Sequence, residues 1–180
     1  VKTEELELHK ISCDDSTDWR GIYPLRESLA VHMKRMGVDA KPEQILICTS
    51  ITQALNTIAS IFLNVGMTYY YERSSFINLK SIMRSSGAHF EGLDIDEEGI
   101  VIDRLTSRTR PPKNCFLHLH ACNHNPTGIT TSLKRRKEII SVCYKWGIPI
   151  VEMDSMRGMY YMQEDPPPVK SFDVNGSVIY

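Results

Sequence analysis

The stretch His118-Leu-His-Ala-Cys-Asn-His-Asn-Pro-Thr-Gly128 decides the fold of this chain. It leaves an apolar segment, Cys115 to Leu119, turns through Asn-Pro-Thr-Gly and enters a basic helix near Thr131. In α/β sheets, ligand-binding groups collect at such exits, where parallel strands end. Asn125 precedes a proline, which keeps its backbone out of the α region. We therefore expect the Asn125 side chain to be aimed outward from a strand end, with the rest of the chain as scaffold.

Length, charge and cysteine usage limit the class of protein. The chain has 180 residues and a formal net charge of -1, which suits a domain with a substantial core. This charge balance argues against a basic nucleic-acid footprint over the whole surface. No apolar run is long enough to span a bilayer, and residues 1–10 are acidic and lack the apolar core of a signal peptide. The 5 cysteines form no Cys-x-x-Cys pair, which predicts reduced thiols in a cytoplasmic protein.

Short apolar segments alternate with amphipathic ones along most of the chain. Residues 1–18 are polar and are expected to form a lead-in, with the domain covering residues 19–180. Strands are predicted near 45–48, 67–71, 88–93, 115–119, 148–152 and 177–180, and helices near 24–36, 51–64, 76–86, 101–106 and 131–146. This alternation predicts an α/β three-layer sandwich, with a mostly parallel sheet covered on both faces. Because the sequence stops in a strand, we expect a fragment of a larger domain.

Other patterns resemble binding sites but have plainer interpretations. Residues 94–99 resemble the first half of a calcium loop, but Leu105 stands at the twelfth position, where glutamate is required, so calcium is excluded. Residues 134–137 are basic, and we interpret them as a solvated helix face rather than a nucleic-acid contact. A zinc site is the alternative to buried, cofactor-facing histidines for the alternating His118, His120, Cys122 and His124. We predict no metal there, because both faces of this sheet should be covered by helices.

Short blocks spread along the chain match one protein family in order and spacing. They are Gly21-Ile-Tyr-Pro-Leu-Arg26, Pro42-Glu-Gln-Ile-Leu-Ile47, Ser50-Ile-Thr-Gln-Ala-Leu55, Asn125-Pro-Thr-Gly128 and Val151-Glu-Met-Asp-Ser-Met-Arg157. They resemble blocks of the large domain of fold-type I aminotransferases, which depend on pyridoxal 5′-phosphate (PLP). The first block, together with residues 94–99, is most similar to the aminotransferase-like domains of MocR-type (GntR-family) transcriptional regulators. Residues 120–128 also resemble aspartate aminotransferases.

The resemblance implies PLP as cofactor and assigns residues to hold it. Ser50, Ile51 and Thr52 should form the phosphate cradle, where a helix N-terminus presents its amides to an anion. Phe76 should form the platform beneath the ring, and Asn125 should bind the phenolic oxygen of the cofactor. Each also has a purely structural alternative. Ser50 can be a helix N-cap, Phe76 a core residue, and Asn125 a cap of its turn.

The acid that should hold the pyridine nitrogen is displaced. The register of the resemblance puts it at Met153 and puts the family tyrosine at Met156, whereas Arg157 matches. A thioether cannot stabilise a protonated nitrogen as a carboxylate does. Asp154 is the nearest substitute, but an extended strand would point it to the opposite face. It can serve only if the strand ends early or carries a bulge.

The resemblance also implies parts that this sequence does not include. The Schiff-base lysine would follow Tyr180, as would the C-terminal small domain, so we assign no catalytic residue and expect no transamination. We predict part of the effector-binding domain of a MocR-type regulator, with PLP or its adduct with an amino acid or amine as effector. The resemblance further implies a homodimer, away from membranes, that contacts DNA through a separate winged-helix domain. The alternatives are a degenerate sensing or dimerisation domain without PLP, and a truncated metabolic aminotransferase.

Overall fold

The computed structural model describes residues 18–76, 78–106, 114–159 and 165–180, so nearly all of the predicted polar lead-in lies outside the described residues. The helices are α1 Tyr23–Arg35, α2 Ile51–Phe62, α3 Leu79–Met83, α4 Asp103–Thr106 and α5 Leu133–Trp146. The strands are β1 Thr68–Glu72, β2 His89–Leu93, β3 Ile95–Asp96, β4 Gly99–Ile100, β5 Cys115–His120, β6 Ile150–Met153 and β7 Val178–Ile179. Short 3-10 turns lie at Pro42–Gln44, Arg84–Ser86 and Val169–Phe172.

The main sheet has the strand order β2-β1-β5-β6-β7, and each neighbouring pair in it is parallel. Parallel neighbours need crossover connections, and α5 provides the one between β5 and β6. The β3–β4 pair is a separate antiparallel hairpin. It takes up residues 95–99 of the charged segment, and the turn between the two short strands lies at residues 97–98. The predicted mostly parallel sheet is confirmed.

Side chains alternate along the strands, so both faces of the sheet carry apolar residues, and helices cover both faces. In β1, Tyr70 packs into a core cluster with Ile139 of α5, whereas Tyr69 and Tyr71 pack into a second cluster with Leu55 of α2. Both clusters consist of side chains that are almost completely buried. The central strands are therefore apolar on two sides, as is typical of parallel sheets between helical layers. This arrangement confirms the predicted three-layer sandwich.

Capping residues place the helix boundaries close to their predicted positions. The Ser50 and Ser132 side chains accept hydrogen bonds from backbone amides in the first turns of α2 and α5. Helix α5 ends at Gly147, whose φ of 64° is the left-handed conformation that glycine adopts most easily. Gly37, with a φ of 83°, follows the end of α1 in the same way. The first and last helices of the chain were therefore predictable from single residues.

The expected strand at 45–48 is wrong. This segment is extended but belongs to no sheet, and its Ile47 amide donates a hydrogen bond to the Arg20 carbonyl at 2.9 Å. A strand needs a neighbour, and a cavity separates this segment from β7. The helix expected from Phe76 begins only at Leu79, so Phe76 lies in the loop before α3.

Candidate functional site

The candidate site lies where β1, β5 and β6 end beside one another. The strand register pairs His120 of β5 with Met153 of β6. Glu72, the last residue of β1, accepts hydrogen bonds from the His120 amide through both carboxylate oxygens, at 2.9 and 3.1 Å. Nδ1 of His118, which is also on β5, lies 2.9 Å from the hydroxyl of Tyr69 on β1. Buried polar groups therefore converge at one edge of the sheet.

Burial determines the protonation of these groups. It raises the pKa of Glu72 to about 8 and lowers the pKa of His118 to about 3 and of His120 to about 4. His124 Nε2 lies 3.9 Å from a Glu72 oxygen, but burial lowers the pKa of His124 as well. At neutral pH this contact therefore joins uncharged groups and is not an ion pair. The sheet end presents neutral imidazoles and a protonated carboxyl.

The Asn-Pro-Thr-Gly turn is held by bonds within itself and to the end of β5. The Gly128 amide donates to the His124 carbonyl at 2.6 Å, and His124 Nδ1 lies 2.8 Å from the Thr127 hydroxyl. The Asn125 amide donates to Nδ1 of His120 at 3.2 Å, so that nitrogen is the unprotonated one. The peptide bond after Asn125 is cis, and the residue is exposed. The turn thus presents the Asn125 side chain beside the buried strand end.

Arg136 of α5 anchors this turn from inside the protein. Its side chain is fully buried, and Nε donates to the Thr131 carbonyl at 2.8 Å. Nη2 donates to the Ala121 carbonyl at 2.7 Å and to Sγ of Cys122 at 3.2 Å. These carbonyls belong to an irregular segment outside the sheet. The Ala121 carbonyl also accepts from the Thr131 amide at 2.9 Å, and the buried guanidinium supplies a further donor to it and a donor to the Thr131 carbonyl.

The predicted solvated helix face at residues 134–137 is wrong for Arg135 and Arg136. Arg136 is buried as described above. Arg135, 12 % exposed in its side chain, binds Asp96 at 2.9 Å and the Ile100 carbonyl at 2.7 Å on the β3–β4 hairpin. Both arginines satisfy groups from distant segments, which the local charge pattern does not reveal.

Asp154 is the first residue after β6, which ends at Met153. Its Oδ2 accepts a hydrogen bond from the Tyr180 hydroxyl at 2.7 Å and also binds Nε of Arg157. Its Oδ1 is buried and has no hydrogen-bond partner among the described residues. The strand therefore ends just before Asp154, which is the condition under which Asp154 can face the site.

A cavity of about 630 Å³ lies between α1, α2, the extended segment 45–48 and the ends of β6 and β7. Met153 and Asp154 line its inner end, beside Tyr180 and Arg157. Its other walls are mainly apolar and include Leu29, Met33, Ile45, Leu46, Ile51 and Ile58. A buried acceptor oxygen without a partner costs free energy, so Oδ1 of Asp154 is a natural point for a ligand to donate a hydrogen bond.

The predicted phosphate-cradle residues face different surfaces. The Ile51 side chain lines the cavity, whereas Ser50 and Thr52 line a shallower depression along the outer side of α2. The Ser50 hydroxyl accepts from the Gln53 amide at 3.2 Å, so this residue is an N-cap of α2. The hydroxyl hydrogen of Ser50 stays available to donate, because the cap uses only the oxygen.

The other predicted cofactor residues are also spread over the site. Phe76 is partly buried and packs against the core cluster that contains Leu55, as its structural alternative describes. Asn125 lies on the turn after β5 and is not among the residues that line the cavity. Within the described residues, the cavity therefore brings together Ile51 and Asp154 out of the predicted set.

Sequence reasoning missed the residues that hold these groups in place. Glu72, Arg136 and Tyr180 were not identified, although each binds a backbone or side-chain group at the site. A carboxyl side chain closing an apolar strand was a usable signal for Glu72, since a buried polar group needs nearby hydrogen-bond partners. Tyr180 gave no such signal, because its partner Asp154 comes from a strand beside it in the sheet.

The histidine and cysteine segment has some of its partners within the protein, whereas Nε2 of His118, His120 and His124 is buried without a hydrogen-bond partner among the described residues. In the part of the chain that the structure describes, no group of three or more His, Cys, Asp or Glu is arranged to hold a metal ion. His118 pairs with Tyr69, and Cys122 accepts from Arg136 and Arg157. The described helices also include none with the length and apolarity needed to cross a membrane.

A family model described as aminotransferase class I and II matches residues 1–161. This chain belongs to that family. YdfD of Bacillus subtilis, an uncharacterized HTH-type transcriptional regulator, is 34% identical over 161 residues, which are 89% of this chain and 33% of YdfD. The 2-aminoadipate transaminase of Thermus thermophilus is 32% identical over 78% of this chain and 34% of the enzyme. The chain thus spans about a third of the length of these curated relatives.

Solved structures of aminotransferases have the same fold. LysN, an α-aminoadipate aminotransferase from Thermus thermophilus complexed with N-(5′-phosphopyridoxyl)-L-leucine, superposes with a TM-score of 0.79 at 29% identity, over 92% of this chain and 41% of LysN. An archaeal alanine:glyoxylate aminotransferase gives 0.79 at 28% identity, over 90% of this chain and 42% of that enzyme. The expected fold, part of a large domain of the PLP-dependent aminotransferases, is confirmed.

Proposed function

We propose that this chain is part of the effector-sensing domain of a MocR-type transcriptional regulator. In this proposal the cavity beside Asp154 holds PLP, or PLP joined to an amine or amino acid, as a signal. The regulator relatives support the biological setting, and the aminotransferase fold supports the ligand class. The observation that carries the proposal is that Asp154 lines the cavity and that its Oδ1 is buried without a hydrogen-bond partner among the described residues. The whole protein is then a cytoplasmic homodimer that contacts DNA through a separate domain.

The residues at the cavity fit the pyridine ring of PLP through Asp154. A protonated ring nitrogen needs a buried acceptor, and Oδ1 of Asp154 is one. The position indicated by the resemblance carries Met153, which is 7 % exposed and offers no acceptor of comparable strength. Asp154 therefore replaces the missing acid one residue later in the chain.

Each predicted residue has a role in holding the ligand. When bound, PLP supplies a ring that withdraws electrons from an attached amine. In this proposal Asp154 holds the ring nitrogen at the cavity. The resemblance assigns the phenolic oxygen to Asn125, the ring face to Phe76 and the phosphate to Ser50, Ile51 and Thr52, and of these Ile51 lines the cavity. Ile51 adds bulk beside the phosphate, so its backbone and the neighbouring hydroxyls make that contact.

Sensing suits these residues better than catalysis. Met153 and Met156 stand where the resemblance expects an acid and a phenol, and a thioether neither donates nor takes up a proton. Asp154 is also held by Arg157 and Tyr180, which restrains it at one place. A site of this kind can bind and orient a pyridine ring while lacking groups that move protons during a reaction.

Pyridoxine 5′-phosphate tests this proposal, because it has the ring and phosphate of PLP but no aldehyde to react with lysines. We expect the chain of residues 1–180 to bind it, with the ring nitrogen protonated in the absorbance spectrum. Asp154→Asn should weaken binding about tenfold or more, which is about 1.4 kcal/mol. The matched control is Asp96→Asn, which also loses a carboxylate paired with an arginine, but on the β3–β4 hairpin.

The second candidate is a sensing or dimerisation domain that has lost PLP, and Met153 and Met156 favour it. In that case the folded chain shows no saturable binding of pyridoxine 5′-phosphate, and Asp154→Asn changes nothing. Equal weakening by Asp154→Asn and Asp96→Asn would also count against the role of Asp154, because it would indicate a general loss of stability.

A further inference from the structure

One guanidinium lies at the junction of three segments around the proposed site. Nε of Arg157 binds Oδ2 of Asp154, Nη1 donates to the Pro166 carbonyl at 3.0 Å, and Nη2 donates to Sγ of Cys122 at 3.2 Å. The side chain is 16 % exposed, so these contacts replace most of its hydration. Each nitrogen of the guanidinium therefore binds a different segment.

These contacts connect the two halves of the site. Cys122 begins the turn that carries Asn125, and Asp154 begins the loop after β6. A second bond joins the same two segments, because the Asn123 side-chain amide donates to the Met156 carbonyl at 3.0 Å. The turn and the loop are thus tied together at the side chain of Arg157 and at Asn123.

The contact between Arg157 and Cys122 fixes the relative position of the two segments more than it adds to the stability of the protein. Burial raises the pKa of the Cys122 thiol to about 12, so the thiol stays protonated beside the guanidinium. A neutral sulfur is a weak acceptor. The contact instead fixes geometry, because the planar guanidinium of Arg157 reaches the thiol, the carboxylate and the carbonyl at once. Lysine is a single point charge on a flexible stem and cannot span all three.

We propose that Arg157 is a positioning residue, which fixes the Asn125 turn and the Asp154 carboxylate in one relative placement, with Oδ2 of Asp154 engaged and Oδ1 left without a partner among the described residues. This inference rests on the proposed function for the identity of the ligand. The placement itself is a property of the protein without ligand, so it can be measured separately.

The test compares Arg157→Lys with Arg135→Lys. The control is close: Arg135 is 12 % exposed, is paired with acidic residues and binds the Ile100 carbonyl, but it lies at the β3–β4 hairpin. For Arg157→Lys we expect pyridoxine 5′-phosphate to bind about tenfold more weakly, and the bound ring to lose protonation at nitrogen in the absorbance spectrum. Arg135→Lys should change neither quantity. Equal affinities and spectra for the two variants would overturn the proposal.

A measurement without ligand separates this inference from the proposed function. We expect Arg157→Lys to shift the NMR resonances of the Asn123 and Asn125 amides together with the Asp154 carboxyl carbon. Resonances of the turn that stay unchanged, with changes only around residues 154–159, would refute the positioning role even if the ligand binds. If wild type does not bind pyridoxine 5′-phosphate, the proposed function fails, and these shifts alone decide the role of Arg157.

A second variant covers the case in which Arg157→Lys does not fold. Cys122→Ala keeps the Arg157–Asp154 pair and removes the contact of Arg157 with Cys122, together with the contact of Arg136 with the same sulfur. We expect it to shift the Nε–H resonance of Arg157 and to weaken pyridoxine 5′-phosphate binding about threefold. An unshifted Arg157 resonance would mean that the guanidinium does not couple the two segments.

Discussion

Tyr180 donates its hydroxyl to Oδ2 of Asp154 at 2.7 Å, which joins the residue after β7 to the residue after β6. Burial and the neighbouring carboxylate raise the pKa of Tyr180, so the phenol remains a donor throughout the physiological range. This bond and the Arg157 pair both use Oδ2, which leaves Oδ1 without a hydrogen-bond partner among the described residues. The side chains around Asp154 therefore determine which of its oxygens stays available to accept a further hydrogen bond.

Tyr180→Phe should lower the free energy of unfolding by about 1–2 kcal/mol, because a part-buried hydrogen bond to a charged group is lost. Urea unfolding measures this. The control is Tyr144→Phe, which removes a bond of 2.7 Å to Asp173 and also the bond of 2.7 Å that the Val174 amide donates to the hydroxyl. Tyr144→Phe should lose at least as much stability as Tyr180→Phe, but only Tyr180→Phe should also weaken binding of pyridoxine 5′-phosphate. A Tyr180→Phe variant as stable as wild type would indicate that the bond is not formed in solution.

Arg136→Met should destabilise the protein by about 3–5 kcal/mol, since it removes the buried guanidinium that donates to the Thr131 and Ala121 carbonyls and lies 3.8 Å from the buried Glu152 carboxyl. The Ala121 carbonyl keeps the Thr131 amide as a donor, and Glu152 keeps the Val169 and Lys170 amides. Thermal and urea unfolding measure the loss. Lys134→Met, at a position that is 74% exposed in the same helical turn, should cost about 0.5 kcal/mol or less. Similar losses in the two variants would contradict the anchoring role of Arg136.

The parts of the fold that were predicted from sequence depend on local signals. Ser50 and Ser132 cap helices through their own side chains, and Gly147 ends one through its own backbone conformation. The Asn125 turn could likewise be placed at a strand end from its proline alone. Each of these residues acts on backbone groups within a few positions of itself, so its role can be predicted without knowledge of the tertiary structure.

The parts that were missed depend on distant partners. In the sequence Arg136 resembles a surface cation. Its role becomes evident only in the tertiary structure, where it binds the carbonyls of Ala121 and Thr131. Segment 45–48 has the composition of a strand, but a strand also requires a neighbour in the sheet. Whether Asp154 faces the site depends on where β6 ends, and a shift of one residue reverses the face that a side chain occupies.

Stability should fall as the pH rises from about 7 to about 8, because of Glu72. Burial raises its folded pKa to about 8, above the usual 4.5, so the folded state binds the extra proton. The resulting stability is fully present below pH 4.5 and is lost as the pH rises through the folded pKa, at no more than about 1.4 kcal/mol per pH unit. Glu152, whose pKa burial raises to about 7, adds a similar decline at slightly lower pH.

The buried histidines change the stability of the fold with pH in the opposite direction, and they do so over a lower pH range. Their folded pKa values are lowered, to about 4 for His120 and about 3 for His118, so they stabilise the fold above the usual 6.5 and destabilise it below. Above about pH 7 they are neutral in both states and add no slope. Urea unfolding of Glu72→Gln should therefore show a flatter decline between about pH 7 and pH 8 than wild type. Identical slopes would mean that Glu72 titrates normally in the fold.

Gly21 should tolerate alanine less well than Gly66, although both have a positive φ, of 99° and 90°. A Cβ at Gly21 would lie 2.6 Å from Cγ1 of Ile47, whereas a Cβ at Gly66 would have nothing within 4 Å. Gly66→Ala therefore measures backbone strain alone, at about 1–2 kcal/mol. Gly21→Ala adds a steric clash of about 1–3 kcal/mol with the segment that leads into α2. Equal losses in urea unfolding would show that segment 45–48 does not pack against Gly21, and hence that the outer wall of the cavity lies elsewhere.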